Sequence, residues 1–450
     1  MHRVLSVAAI VFALTQVAFG QESLSGRVLP PDALFGITPT TSGVSPQPGT
    51  PPTEKQSADP WRSFAPVSPG VVAGPWILFP AITGGAFYDD NVFATHFNRQ
   101  HDWAGFVRPE LGARTSGPNY SVEARGFLEQ RWYNKFTSED QLNGGAAAAA
   151  TVMPDKDTQV VLKAGYLRAH EERGTGETII NNGTTLFTGF DRPLGYNLYQ
   201  MSGALNKRFD RWWTSVGAAG SWTEYDTPTI NGVPQPISYR NGVVTVVSGR
   251  VGYVVAPLTS IFVEGAGNRR DFQVDDFDST GYRVVGGILL EQGPGARVKG
   301  EAYAGYMYQN YNGFGFQTVS TVTYGGALAW LIAPQWTAVV TGRRNALESA
   351  LLVPGGGLGV SVVESEVGGR LDYQILPNLV IGAGATWLQD QFLGAGRTDN
   401  YISPLASVKY FVSPNVILGF DYRNVSFDSS GLGVLTYYRN VYLLSARAQF

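Results

Sequence analysis

Apolar and polar side chains alternate along most of the chain beyond residue 75, and the last stretch shows the period most cleanly. Phe450, Ala448, Ala446, Leu444 and Tyr442 fall on one face, and Gln449, Arg447, Ser445 and Arg439 fall on the other. A period of two is that of a β-strand. Internal tracts repeat it: Tyr282, Val284, Gly286, Ile288 and Leu290; Tyr324, Gly326, Leu328, Trp330 and Ile332; Leu379, Ile381, Ala383, Ala385 and Trp387. These faces carry almost no charge, and several end in Trp or Tyr, the residues that settle at membrane–water interfaces. A soluble sheet would bury its apolar face and turn a charged one to water. Here the opposite faces hold small and polar residues with scattered charge, which suits lipid on one side and a wet interior on the other.

From Pro80 onward the pattern predicts strands of roughly 12–16 residues, long enough to cross a bilayer while tilted. Short turn signals alternate with longer polar stretches. The short ones are Ser116-Gly117-Pro118, Pro154-Asp155-Lys156-Asp157, Asp210-Arg211, Ala256-Pro257-Leu258, Gly293-Pro294-Gly295, Ala333-Pro334-Gln335, Leu376-Pro377-Asn378 and Ser413-Pro414-Asn415. Proline fixes φ, and glycine or asparagine tolerates the tight corner. The longer ones are 93–101, 134–140, 170–192, 226–238, 272–279, 310–317, 345–357, 391–400 and 426–434. Strict alternation of this kind predicts an all-β, transmembrane, antiparallel up-and-down β-barrel of about 18 strands, with short periplasmic turns and longer extracellular loops.

Composition agrees: 55 Gly, 22 Tyr, 24 Phe and 10 Trp accompany the alternation, and charged residues or glycines interrupt every later apolar stretch. Residues 1–20 read as a signal peptide, with His2 and Arg3, an apolar run to Val17 and the small-residue site Ala18-Phe19-Gly20. Residues 21–75 form a Pro-rich leader expected to be disordered in the periplasm, or to act as a tether or plug. Residues 76–450 form the barrel. The absence of cysteine removes both a lipoprotein anchor and a disulfide framework. The net charge of −3 is uninformative about partners.

Taking the lipid face from the uncharged tracts assigns the alternate residues to the lumen. The pore-lining candidates are Arg108, Glu110, Arg125, Glu129, Arg250, Arg270, Arg283, Arg343, Arg370, Asp372, Arg423, Arg439 and Arg447. Further basic positions are Arg114, Arg131, Lys163, Arg208, Arg297, Lys299 and Lys409, and further acidic ones are Glu123, Glu264, Glu291, Glu301, Glu364, Glu366 and Asp421. Basic groups exceed acidic ones. Either the arginines pair with these carboxylates across strands and hold the interior, or the surplus favours anions in a channel.

The string Gly84-Gly85-Ala86-Phe87-Tyr88-Asp89-Asp90-Asn91-Val92-Phe93, with the Pro-rich leader and the terminal Phe450, resembles the putative beta-barrel porin 2, or outer membrane beta-barrel protein, family over about residues 80–450. The resemblance implies an outer-membrane barrel without a defined substrate. On its own chemistry, Asp89-Asp90-Asn91 ends a strand at the rim and caps a loop; two adjacent carboxylates fall short of a calcium cage. Enzyme chemistry is not expected. His96, His101 and His170 fall in predicted loops, His101-Asp102 is the single adjacent pair with catalytic potential, and no Gly-x-Ser-x-Gly elbow or metal-ligating His pair occurs. Asp275, Asp276 and Asp278 make an acidic loop that reads as solvated or as a site for calcium or lipopolysaccharide-bound cations. No cofactor is expected.

These readings place the chain in the bacterial outer membrane, in contact with lipid and lipopolysaccharide and remote from nucleic acid. Phe450 resembles the C-terminal aromatic signal presented to the barrel assembly machinery. Three jobs fit: a porin-like channel for small hydrophilic, including anionic, solutes; an export conduit for an acidic exopolysaccharide; or a surface adhesin or structural barrel acting through loops 170–192 and 226–238. No oligomeric interface is legible.

Overall fold

The computed structural model describes residues 70–450 apart from 175–179, 182–185, 188, 236, 292, 294, 354–356 and 432–435. The expected signal peptide and most of the leader, residues 1–69, lie outside the described residues, as do parts of the expected loops 170–192 and 345–357. The first wall strands are β1 (Trp76–Asp89), β2 (Asp102–Ser116), β3 (Tyr120–Tyr133), β4 (Gln141–Asp155), β5 (Thr158–His170) and β6 (Gly195–Phe209). The next are β7 (Trp212–Tyr225), β8 (Gly242–Ala256), β9 (Thr259–Phe272), β10 (Ser279–Leu290), β11 (Val298–Tyr311) and β12 (Val319–Ala333). The wall is completed by β13 (Trp336–Val353), β14 (Gly357–Leu376), β15 (Leu379–Phe392), β16 (Arg397–Ser413), β17 (Val416–Ser429) and β18 (Tyr437–Gln449).

Each strand pairs antiparallel with its neighbours in sequence, and β18 returns to β1, from Ala81 opposite Gln449 to Asp89 opposite Val441. The result is a closed barrel of 18 strands. A strand of 14 residues such as β1 is about 46 Å long at ~3.3 Å per residue. Tilted by ~45°, it covers roughly the 30 Å of a bilayer's hydrocarbon. Ahead of the barrel, Val71–Ala73, assigned from sequence to the leader, folds back onto Trp76–Leu78 as a short hairpin.

Tight turns gather at one end. Pro257-Leu258, Pro334-Gln335, Pro377-Asn378 and Pro414-Asn415 each follow a register shift one residue earlier, a bulge that lets the proline enter without a ladder N–H. Asp210 turns the β6–β7 hairpin at φ 56°, a left-handed conformation that aspartate tolerates. The expected turn Gly293-Pro294-Gly295 lies partly outside the described residues; β10 ends at Leu290 and β11 begins at Val298, so Glu291 and Arg297 stand outside the wall strands. At the other end, three expected loops are shorter than predicted. Residues 345–353, 391–392 and 426–429 continue β13, β15 and β17, and 397–400 begin β16. Glu348 there turns to Arg270 of the wall, and Asp390 and Asp399 are fully buried, so polarity did not signal solvent.

Along the middle of the strands the lipid-facing side is apolar: Val216, Met201, Val263, Val284 and Leu444 are all exposed. Aromatic pairs rim both ends. Tyr199 touches Tyr166 and Trp222 at 5.1 and 5.4 Å near the loops, and Trp336 stacks on Tyr373 at 4.2 Å near the turns.

One hairpin leaves the wall. β12 pairs with β13 only from Gly325–Arg343 toward the turn end. Beyond Arg343, the β13–β14 hairpin crosses inside its neighbours. Thr323 of β12 donates to the Arg344 carbonyl at 2.8 Å, Tyr311 of β11 to that of Leu347 at 3.1 Å, and Arg270 of β9 to that of Ala346 at 2.9 Å. Ala346 and Val363 on its outer side pack against Met307, Tyr311 and Val319 of the inner wall and Phe316 of the loop between β11 and β12.

The phase of the strands generates the first prediction. Val284→Arg sets a cation in lipid near midstrand and is expected to cost ~2–4 kcal/mol, read by equilibrium folding into phospholipid bilayers. Closure generates the second. Asp89 is fully buried against Arg439, so Asp89→Asn leaves a buried cation short of its partner and is expected to cost ~3–5 kcal/mol in the same titration.

Candidate functional site: a charged lumen covered at the loop end

The family-like string at the end of β1 closes the barrel. Asp89 accepts from Arg439 Nη2 at 2.7 Å and Nε at 2.9 Å, and from the Asn91 amide at 3.0 Å. Asp90 accepts from the backbone and side chain of Asn440, each at 2.6 Å. Asn91 Nδ2 donates to the carbonyls of Thr95 and Tyr438, both at 2.8 Å. The strand end and loop cap read from sequence are thus also the seam between first and last strands.

The inner wall carries a chain of alternating charge. Arg447 of β18 meets Glu110 of β2, which takes Arg108 at 2.7 Å. Arg108 reaches Glu129 of β3 at 3.5 Å, and Glu129 holds Arg131 at 2.6 Å. Across the barrel, the Arg250 side chain has no exposure, sits over the Phe262 ring at 3.9 Å and joins Glu264 at 2.7 Å and Glu301 at 2.8 Å. Arg283 joins Glu264 at 2.9 Å. Arg343 binds Glu366 at 2.6 Å and Glu364 at 3.0 Å, and Arg370 binds Asp372 at 2.8 Å and Ser407 at 2.7 Å. Arg270 pairs with Glu348 of the inward hairpin. Several pairs skip strands: Arg250–Glu301 joins β8 to β11, and Arg270–Glu348 joins β9 to β13. Side chains span such chords only on the concave side of the wall.

Arg125 is the exception among the sequence candidates. It stands on the inner side of β3, opposite Gly112 and Ala147, with no ion pair within 4 Å among the described residues. The remaining candidates, Arg423 and Arg439, meet a residue that sequence reasoning missed. Glu172, in the loop after β5, stands 3.7 Å from Arg423 and 3.5 Å from Arg439.

That loop enters the mouth. Glu171 pairs with Arg240 at 2.5 Å, and Arg173 pairs with Glu139 at 2.6 Å. Gly174, at φ +79°, accepts from the Tyr437 hydroxyl at 2.9 Å; a Cβ there would lie 2.8 Å from that ring. Ala94 of the first loop packs with Leu388, Tyr401, Val425, Phe427 and Tyr437 on the inner wall. Burial alone would raise the Glu172 pKa, but Arg423, Arg439 and Arg131 outweigh it and hold the carboxyl below its ordinary range. Asp191 clips the loops after β5 and β7 together. It accepts from Asn231 and Gly232 amides at 2.8 and 2.9 Å and from the Thr229 hydroxyl at 2.7 Å. The signal for these inward loops was present in sequence as apolar residues among polar ones: Val92, Phe190, Leu194 and Phe277 are buried.

The candidate catalytic pair is not assembled. Asp102 accepts from the amides of Trp103, Lys135 and Phe136 at 2.8, 2.8 and 3.1 Å, while His101 faces Lys135. In the acidic loop, Asp278 accepts from the Phe272 amide at 2.6 Å and Phe277 is buried, so this segment is tied to the wall.

No curated protein matches the chain. Solved structures similar to it include OpdO of Pseudomonas aeruginosa, 13% identical over 83% of this chain and 97% of that one, with a TM-score of 0.43. The outer membrane protein opdK of Pseudomonas aeruginosa is 12% identical over 83% and 99%, with a TM-score of 0.42. The ferric enterobactin receptor PfeA of the same organism, as a mutant, is 8% identical over 83% and 80%, with a TM-score of 0.38. A family model described as putative beta-barrel porin 2 matches residues 63–450. The chain belongs to that family of porin-like outer-membrane β-barrels.

Proposed function

We propose that this barrel is a channel for small hydrophilic solutes with a preference for anions, and that it carries out no chemistry on them. The observation that carries the reading is that one sector of the charged inner wall keeps access to water near the turn end, although Arg250 and Glu264 across the barrel are buried. Toward the turn end, the side chains of Arg447, Glu110, Arg370 and Asp372 keep 27, 23, 25 and 22% of their exposure. At the loop end, Arg173, Glu139 and Glu171 keep 6, 2 and 1%. A wet charged vestibule therefore leads to a mouth narrowed by the β13–β14 hairpin and the loop after β5. In the β18–β3 sector, Arg447, Arg108 and Arg131 share two glutamates, Glu110 and Glu129, and this surplus of positive charge favours anions.

A second reading, a surface barrel acting through its loops, draws support from the packed mouth and from the Asp191 clip. The two readings part in planar bilayers. The channel reading expects the purified chain to conduct, with anions more permeant than cations. It also expects Glu348→Gln, which removes the ion pair that helps hold the inward hairpin to Arg270, to raise single-channel conductance. A folded chain that carries no current, with or without that change, would decide for the surface barrel.

A further inference from the structure

Two arginines on neighbouring strands of the wall converge on one loop carboxylate. Arg423 of β17 and Arg439 of β18 stand 3.7 and 3.5 Å from Glu172 oxygens, and Arg131 of β3 acts on the same group. These contacts are loose beside those of the wall. Arg131 keeps Glu129 at 2.6 Å and Arg439 keeps Asp89 at 2.7 Å, both fixed on strands. Arg423 has no such carboxylate among the described strand residues; its Nε reaches the Ser403 hydroxyl at 3.4 Å. The wall therefore supplies positive charge at this level that a loop residue answers.

The loop aims Glu172 there. Its neighbours Glu171 and Arg173 are pinned outward to Arg240 and Glu139, and Gly174 to Tyr437. The Glu172 side chain retains 27% exposure, so water reaches the site. A guanidinium and a carboxylate bond best as two parallel forks at ~2.7–2.9 Å. The ion pairs of Glu171 and Arg173 on either side keep Glu172 short of that geometry with both arginines.

We propose that Arg423 and Arg439 form an anion-binding site at the mouth for a small carboxylate-bearing solute, and that Glu172 is a tethered occupant which the solute displaces on entry. This rests on the channel reading and gives that reading its selectivity site. A solute carboxylate, free of the loop's constraint, closes on Arg423 with full bidentate geometry. While Glu172 sits in the site, apparent affinity falls by the fraction of time the site is vacant.

Citrate is a suitable probe, titrated calorimetrically into the full chain in detergent. Glu172→Gln is expected to bind citrate about tenfold more tightly than the native chain, as for a site occupied ~90% of the time by its tethered competitor. Adding Arg423→Gln to that variant should abolish the gain, and Arg423→Lys should restore part of it. Equal affinity of the native chain and Glu172→Gln, or a gain that survives Arg423→Gln, would overturn the proposal. In bilayers, citrate should lengthen openings of the native channel and leave those of Glu172→Gln unchanged. Current without that response sinks the site and spares the channel; citrate binding without current does the reverse. Tighter binding of oligogalacturonate than of citrate, per carboxylate, would overturn the small-solute assignment.

The pH dependence has a defined sign. A carboxyl held below its ordinary value favours the clasped form above that value and loses it as pH falls through the shifted one. The difference between the native channel and Glu172→Gln should thus persist at pH 4.5, the ordinary glutamate value, and vanish only in stronger acid. A difference already lost at pH 6 would contradict the assignment.

Discussion

Everything in this molecule follows from one requirement: a backbone inside hydrocarbon must satisfy its hydrogen bonds within the protein. A sheet meets that requirement only by having no edge, so β18 must return to β1. The seam is reinforced beyond its ladder by Asp89, Asp90 and Asn91, which bind Arg439, Asn440 and the Tyr438 carbonyl. Once the sheet is closed, the two-residue period sorts side chains without further instruction. One set meets lipid and must be apolar; the other is enclosed and can hold charge.

Enclosure also explains the form the charge takes. A buried cation is tolerated when a carboxylate lies within reach, and the loss of one partner costs more than the pair contributes. Arg250, Arg283, Glu264 and Glu301 satisfy this by sharing oxygens across several strands. Removing any one of them leaves the others short, so the network fixes the cross-section of the lumen on that side. Elsewhere on the wall, Arg447–Glu110 and Arg370–Asp372 are more open and water shares their solvation.

Much of this was legible in sequence. The uncharged faces of 282–290, 324–332 and 379–387 gave the phase, and the proline corners gave the turn end. The phase then placed the arginines inside. The mouth was harder to read. A polar residue such as Glu348 or Asp399 looks the same whether it meets bulk water or the inside of a covered barrel, so 345–357 and 391–400 read as loops. The partners of Arg423 and Arg439 were missed for a related reason. Glu172 lies in a loop some 250 residues away, and no local pattern reports that a loop folds inward. The buried Val92, Phe190 and Phe277 were the available hint.

The division between an oily outside and a wet inside can be measured strand by strand. The chain has no cysteine, so single substitutions along β5, Val161→Cys through Ala164→Cys, each carry one spin label. In reconstituted bilayers, labels at 162 and 164, which are exposed on the outer face, should be relaxed by oxygen dissolved in lipid, and labels at 161 and 163, half-buried on the inner face, by a water-soluble nickel complex. Accessibility without a two-residue period, or with the opposite phase, would contradict the account.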